Sequence, residues 1–192
     1  MPLLHGLLLA AAVGAPVDRP VIRAELGYSH LFAIGDPDLD PVAMHGLGVD
    51  LFGGWELGSL DLVPEIQVGF HLFPSHRREH GFDVDTVWTV IPILAGARYH
   101  LRAASLPLSA HASAHLGVVH QYWHRELLGI RGSGSGTNFG LNVGLGGDWM
   151  ISEVLGVGVS IRYWFAASQN DEVEDSGNTH LLTAAACASL AL

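Results

Sequence analysis

Histidine is the residue type in this chain with the widest chemical reach. There are twelve histidines among 192 residues, and His100, His111 and His115 fall within one short stretch. Imidazole nitrogens are common donors to zinc and related ions. His111 and His115 share a parity, with Ser113 between them. On an extended strand, four residues cover roughly 13 Å, so these two cannot hold one ion together. A ligand on a neighbouring strand could complete a site. A short turn over residues 102–107, however, sets His111 near Arg98, and a guanidinium there disfavours a cation. We assign no metal and no cofactor, and read these histidines as polar filling of an interior.

His111, Ser113 and a carboxylate such as Glu65 also have the residue types of a nucleophile, base and orienting group. No oxyanion donor can be identified beside them, so no catalytic residue is assigned and no enzyme is expected. Carboxylates gather in two further places: Asp36, Asp38 and Asp40, and Asp171, Glu172, Glu174 and Asp175. Such groups can hold Ca²⁺, but the spacing is not the twelve-residue loop of an EF-hand. Asp-Pro-Asp is also a common turn composition, so solvated loop charge is the plainer reading.

The elements that must carry these residues are strands. Eight segments alternate apolar and polar residues with period two, the signature of a strand with two unlike faces. They run from about Val21 to Phe32, Gly46 to Leu57, Val63 to Phe73, Val87 to Leu101, Leu108 to Trp123, Asn138 to Ile151, Leu155 to Phe165 and His180 to Leu192. In the sixth, Phe139, Leu141, Val143, Leu145, Trp149 and Ile151 oppose Asn138, Gly140, Asn142, Gly144, Gly146 and Asp148. The last is alanine-rich and alanine is a poor strand former. The connections alternate in length. Gly35–Met44, Pro74–Thr86, His124–Thr137 and Ala166–Thr179 read as long loops, with Gly132–Gly136 a flexible tip. Gly58–Leu62, Arg102–Pro107 and Ser152–Val154 read as short turns. This is the plan of an all-β, eight-stranded, antiparallel up-and-down barrel.

Composition decides which face points inward. Charged residues are only 15% of the chain, hydrophobic residues 49%, and all nine basic residues are arginines. A solvated barrel surface would carry more charge, and the net charge of −10 excludes a nucleic-acid binder. The apolar parity is uncharged in every segment, as a lipid-facing band requires. Aromatics lie on it near both ends: Tyr28, Phe70, Tyr122, Phe139, Tyr163 and Phe165 toward the long loops, Trp55, Tyr99 and Trp149 toward the short turns. They read as two interfacial girdles. The other parity is rich in glycine and serine and carries Arg23, Glu25, Asp50, Glu56, Glu65, Arg98, Asp148 and Arg162. In a narrow lumen these must pair, because buried charge needs a partner. No apolar run reaches the length of a transmembrane helix. The single cysteine, Cys187, allows no intrachain disulfide.

With these features the chain resembles the small eight-stranded outer-membrane β-barrels of Gram-negative bacteria, the OmpX, OmpW and OmpA-barrel group. Pro92-Ile-Leu-Ala-Gly-Ala-Arg-Tyr99, Phe139-Gly-Leu-Asn-Val-Gly144 and Val159-Ser-Ile-Arg-Tyr163 carry the likeness, which covers about Val21 to Leu192. Those families usually end in an aromatic residue that the assembly machinery reads; this chain ends in Leu192. The resemblance implies a bacterial outer membrane with the long loops outside. It also implies outer-membrane lipid, lipopolysaccharide and the assembly machinery as partners. Some outer-membrane barrels are lipid A deacylases with a His and Ser two residues apart, but their site faces lipid, whereas His111 and Ser113 are on the lumen parity.

Residues 1–15, apolar from Leu3 to Ala15, are expected to be a signal-peptide remnant, although Lys and Arg are missing from the start and Pro16 would follow the cut. Residues 16–192 are expected to form the barrel, as a monomer. The expected role is structural or surface interaction, with a filled lumen and long extracellular loops. A narrow channel for small or hydrophobic solutes is the alternative, discriminated by a gap past Phe52, Leu94 and Trp164. A soluble lipocalin-like binder and a lipid A hydrolase stand behind it.

Overall fold

The computed structural model describes residues 18–34, 43–57, 60–79, 82–102, 107–167 and 178–192. The expected signal segment, and the acidic residues at 36, 38, 40, 171, 172, 174 and 175, lie outside them. Eight strands follow one another: β1 (Arg19–Ile34), β2 (Ala43–Glu56), β3 (Leu62–Glu79), β4 (Phe82–Arg102), β5 (Leu108–Leu127), β6 (Ile130–Met150), β7 (Leu155–Ala167) and β8 (Asn178–Ala191). Each pairs antiparallel with its neighbours, and β1 pairs with β8, so the sheet closes into a barrel. Closure satisfies the backbone of every strand within the sheet, which lipid cannot do.

The alternation has the expected direction. Leu141 and Val143 are 40% and 45% exposed, while Asn142 between them is fully buried. A soluble barrel with its apolar parity inside is thereby excluded. Phe139 and Trp149 lie ten residues apart on the outward face of β6. That span is about 33 Å along the strand, or roughly 25 Å at the usual barrel tilt, the height of a lipid-facing band.

Two expected loops are absent. Residues 74–86 and 124–137 are mostly strand: β3 and β4 pair as far as Glu79↔Phe82, and β5 and β6 as far as Leu127↔Ile130. The Gly132–Gly136 run is not a loop tip but part of β6. The turn lies at Leu128 and Gly129, with φ of 51° and 77°, the pair of positive angles of a two-residue hairpin. A Cβ on Gly134 would lie 2.7 Å from the Trp123 indole, so glycine lets that ring lie against the strand. Packing here overrides the weak strand propensity of a Gly-Ser run. The result is a crest of four strands, β3 to β6, standing above the shorter β7, β8, β1 and β2.

The lumen is filled in two layers. Its short-turn half holds charged and polar side chains. Its loop-side half holds a dry cluster that includes Leu31, Met44, Phe73, Val90, Leu94, Val119, Trp164 and Leu181, with Trp88 packed against it. Leu94 and Trp164, which the sequence placed along the lumen, belong to this cluster. The strands rise there beyond the level of the ion pairs, and the lumen parity turns apolar at their ends.

Candidate functional site

The lower lumen gathers polar residues from all eight strands into two hydrogen-bonded branches. Arg23 on β1 is its first hub. Its Nη1 lies 2.7 and 2.8 Å from the two carboxylate oxygens of Asp148, and its Nε donates to Glu25 at 2.7 Å. Its Nη2 contacts the Cys187 sulfur at 2.7 Å. Arg162 on β7 is the second hub: Nε and Nη2 both reach Glu25 at 2.8 Å, and Nη1 donates to Ser113 Oγ at 3.1 Å. Ser160 also donates to Glu25 at 2.8 Å. Glu25 therefore sits between two guanidiniums, the kind of multiple partnering that makes a buried carboxylate tolerable.

A second branch starts at Arg98, whose Nη2 donates to Glu65 at 2.7 Å. His115 bridges Glu65 and Asn142, each at 3.0 Å. Asn142 donates to Gln67 at 2.8 Å, and Gln67 donates to Asp50 at 2.9 Å. His71 lies 3.3 Å from Asp50 and 3.2 Å from Ser29, which meets Thr183 at 3.0 Å. Asp50 is thus held by an amide and an imidazole. Glu56 lies at the short-turn mouth, bonded by Arg19 at 2.9 Å. Phe52 lies above these ion pairs, with the Arg162 guanidinium 4.4 Å from its ring centre and the His115 ring 5.8 Å away.

The eight charged residues singled out in the sequence all face this lumen, together with His71, His115, Gln67, Asn142 and Ser160, which share their parity. Their signal was the shared parity. Register corrects one neighbour: His111 pairs directly with His100, while Arg98 pairs with Ser113. The β4–β5 register is offset by two residues from the one the spacing argument assumed, with Arg102 opposite Ser109. His111 Nδ1 lies 3.2 Å from Asp148. The possible hydrolase set is dispersed, since Ser113 is held by Arg162, His111 by Asp148 and Glu65 by His115. Among the described residues no cluster of three or more His, Cys, Asp or Glu has metal-site geometry.

Phe52, Leu94 and Trp164 are 2%, 1% and 4% exposed. The small pocket above them, lined by Val90, Val119, Gln121 and Trp164 among others, holds about 10 Å³, the scale of one water. A close approach shows how tight the filling is: a Cβ on Gly48 would lie 2.0 Å from His71 Nδ1.

On the outer surface, Trp55, Tyr99 and Trp149 stand exposed near the short turns. Tyr28, Phe70, Tyr122, Phe139 and Tyr163 stand exposed toward the loop side, and Phe165 is half-buried. On the crest, His76 lies 2.7 Å from Asp85. That hydrogen bond and charge hold the imidazole above its ordinary pKa. The inner face of the crest carries Trp88 opposite Trp123, with Phe82 and Ile130 exposed further toward the hairpin ends.

Three solved structures have similar folds. Neisserial surface protein A is 16% identical, covering 90% of this chain and 97% of that one, with a TM-score of 0.64. Ail, the attachment invasion locus protein of Yersinia pestis, is 16% identical, covering 90% and 99%, with a TM-score of 0.54. A major outer membrane protein from Thermus thermophilus is 10% identical, covering 88% and 99%, with a TM-score of 0.56. No protein-family model and no curated protein sequence matches the chain.

Proposed function

We propose, from the premise that this chain has the fold of the small eight-stranded outer-membrane barrels, that it works in a bacterial outer membrane as a closed barrel. Its role is structural and interactive, and it presents the loop-side crest to the outside. The single observation that carries this reading is the blocked lumen. An ion-paired network fills the lower half, an apolar cluster that includes Leu94 and Trp164 fills the upper half, and Phe52 lies buried over the ion pairs. A barrel of this strand number has an interior just wide enough for side chains to fill. Catalysis has no assembled centre to support it, because His111, Ser113 and Glu65 are engaged by three different partners. The name of Ail, an attachment protein, supports a surface role by analogy of fold alone.

Planar-bilayer recording of the purified barrel tests this. No stable conductance steps are expected at moderate voltage, and no swelling of vesicles loaded with small sugars. A steady conductance from the wild-type barrel overturns the closed-lumen reading in favour of a narrow channel.

A further inference from the structure

Among the described residues, three buried N–H groups at the loop-side end of the lumen have no hydrogen-bond partner. They are the indole nitrogens Trp88 Nε1 and Trp164 Nε1 and the amide nitrogen Gln121 Nε2. Trp164 and Gln121 are 4% and 6% exposed. Nearly all buried polar groups in proteins are hydrogen-bonded, so three orphans in one place call for a cause. An indole N–H can only donate. The Thr179 hydroxyl donates to Gln121 Oε1 at 3.4 Å, across the lumen from β8 to β5. That contact uses the acceptor of the amide and leaves its NH₂ unmatched.

The fold brings these donors to one level. Gln121 and Trp164 both line the pocket of about 10 Å³, with Val90, Val119, Phe165 and Leu181 as apolar walls. Gln121 pairs with Val90 on β4, and Trp88 stands two residues beyond Val90 on the same face. Trp88 packs against the same apolar cluster that contains Trp164. No charged side chain lines the pocket.

Donors without an acceptor select an oxygen that accepts and has no hydrogen to place. A carbonyl oxygen has two lone pairs and meets that need. A carboxylate also accepts, but burying its charge beside no cation is costly. The pocket admits one oxygen and little more. The rest of a ligand must extend from it toward the crest, where Trp123 stands 38% exposed opposite Trp88. Those indoles offer an aromatic surface to a small apolar body.

We propose that the loop-side end of the lumen binds a small neutral carbonyl compound, its oxygen held by Gln121 Nε2 and Trp164 Nε1 and its apolar body lying toward Trp88 and Trp123. The site goes beyond the closed-barrel role. The oxygen travels only as far as Gln121 and Trp164, so binding needs no conduction. A hydrocarbon of the same shape is rejected, because it leaves both buried donors unpaired.

The full chain is reconstituted into nanodiscs, and its indole and side-chain amide N–H signals are followed by ¹⁵N-resolved NMR. Acetophenone is the probe. Ethylbenzene, with a CH₂ in place of the carbonyl, is the control. Acetophenone is expected to move the Trp164 Nε1–H signal downfield and saturably, and ethylbenzene is expected to leave it in place. Trp55 and Trp149 stand on the outer surface and report partitioning into lipid, so they are expected to respond to both compounds alike. Benzoate is expected to bind more weakly than acetophenone. Gln121→Met keeps the length of the side chain and removes the donor. It is expected to weaken acetophenone binding severalfold at the Trp164 signal, the scale of one hydrogen bond. Trp164→Phe is expected to do the same at the Gln121 amide signal. Ala166→Leu fills the pocket and is expected to abolish the saturable response. The comparison of the two compounds uses the wild-type barrel, so it decides the matter even where a variant fails to fold. Equal responses to acetophenone and ethylbenzene, or undiminished binding by Gln121→Met, overturn the proposal. A Trp164 signal that acetophenone leaves unmoved, with magnetisation transfer to water alone, overturns it in favour of an ordered water.

Discussion

Arg23 and Asp148 join across the lumen, from β1 to β6, with one guanidinium nitrogen within 2.8 Å of both carboxylate oxygens. The two strands are not neighbours in the sheet, so the pair exists only when the barrel is closed. Removing one partner of a buried pair leaves an uncompensated charge, at a cost of about 3–5 kcal/mol. Asp148→Ala is expected to lose stability on that scale in urea unfolding of the detergent-folded barrel. Replacing both residues with apolar ones of similar size, Arg23→Met with Asp148→Leu, is expected to recover much of it. Equal loss in the single and double variants would show that the pair is not the cause.

Phe52 tests whether the lumen depends on one plug. Truncation to Ala removes the ring that lies over the Arg162 guanidinium and leaves a cavity, a change that usually costs about 3–5 kcal/mol. The Glu25–Arg162 contacts remain below it. Phe52→Ala is therefore expected to destabilise the barrel while its bilayer conductance stays at baseline. A conducting Phe52→Ala barrel would place the seal at that ring alone.

Gly48 faces the ring of His71, which is fixed by Ser29 and Asp50. A larger residue must push that ring out of place, and overpacking of this kind costs about 1–3 kcal/mol. Gly48→Val is expected to fall in that range by equilibrium unfolding. His71→Ala is expected to relieve the clash in the double variant, giving a coupling that a cycle of the four proteins measures.

The crest offers a pH test outside the membrane. His76 is held above its ordinary pKa by its hydrogen bond and charge contact with Asp85. A raised folded-state value means the contact's stabilisation is fully present below the unfolded pKa and is lost as pH rises through the folded one. NMR titration is expected to show the His76 midpoint above that of a free histidine. In Asp85→Asn it is expected to fall back. The β3–β4 hairpin amides should exchange faster on the alkaline side of the midpoint, and an unshifted midpoint in the wild type would remove the coupling.

The alternation along Asn138–Ile151 made the barrel legible, because period two survives without any knowledge of partners. Strand β8 was legible despite its alanines for the same reason. What could not be read was pairing at a distance. Arg23 with Asp148, and Glu25 with Arg162, link strands that meet only through closure, and no local spacing encodes that. The upper parts of β5 and β6 were hidden for a different reason. Gly132–Gly136 has the composition of a loop, and only the Trp123 ring lying against Gly134 explains why it stays extended. His45 and His180 were individually visible as histidines, but not their hydrogen bonds to Tyr28 and Tyr163. Tyr28 and Tyr163 reach them from neighbouring strands, a pairing that only register reveals.

The unequal height of the strands has a further consequence. A cylinder with a level rim meets its surroundings alike from every bearing, but this one has a front and a back. A molecule arriving from the aqueous side encounters Trp123, Phe82 and Ile130 on a wall of four strands. The opposite flank presents Tyr28, His45 and Tyr163 on its outward face. Among the described residues, the barrel thus has two unlike flanks, a tall one of β3 to β6 and a short one of β7, β8, β1 and β2.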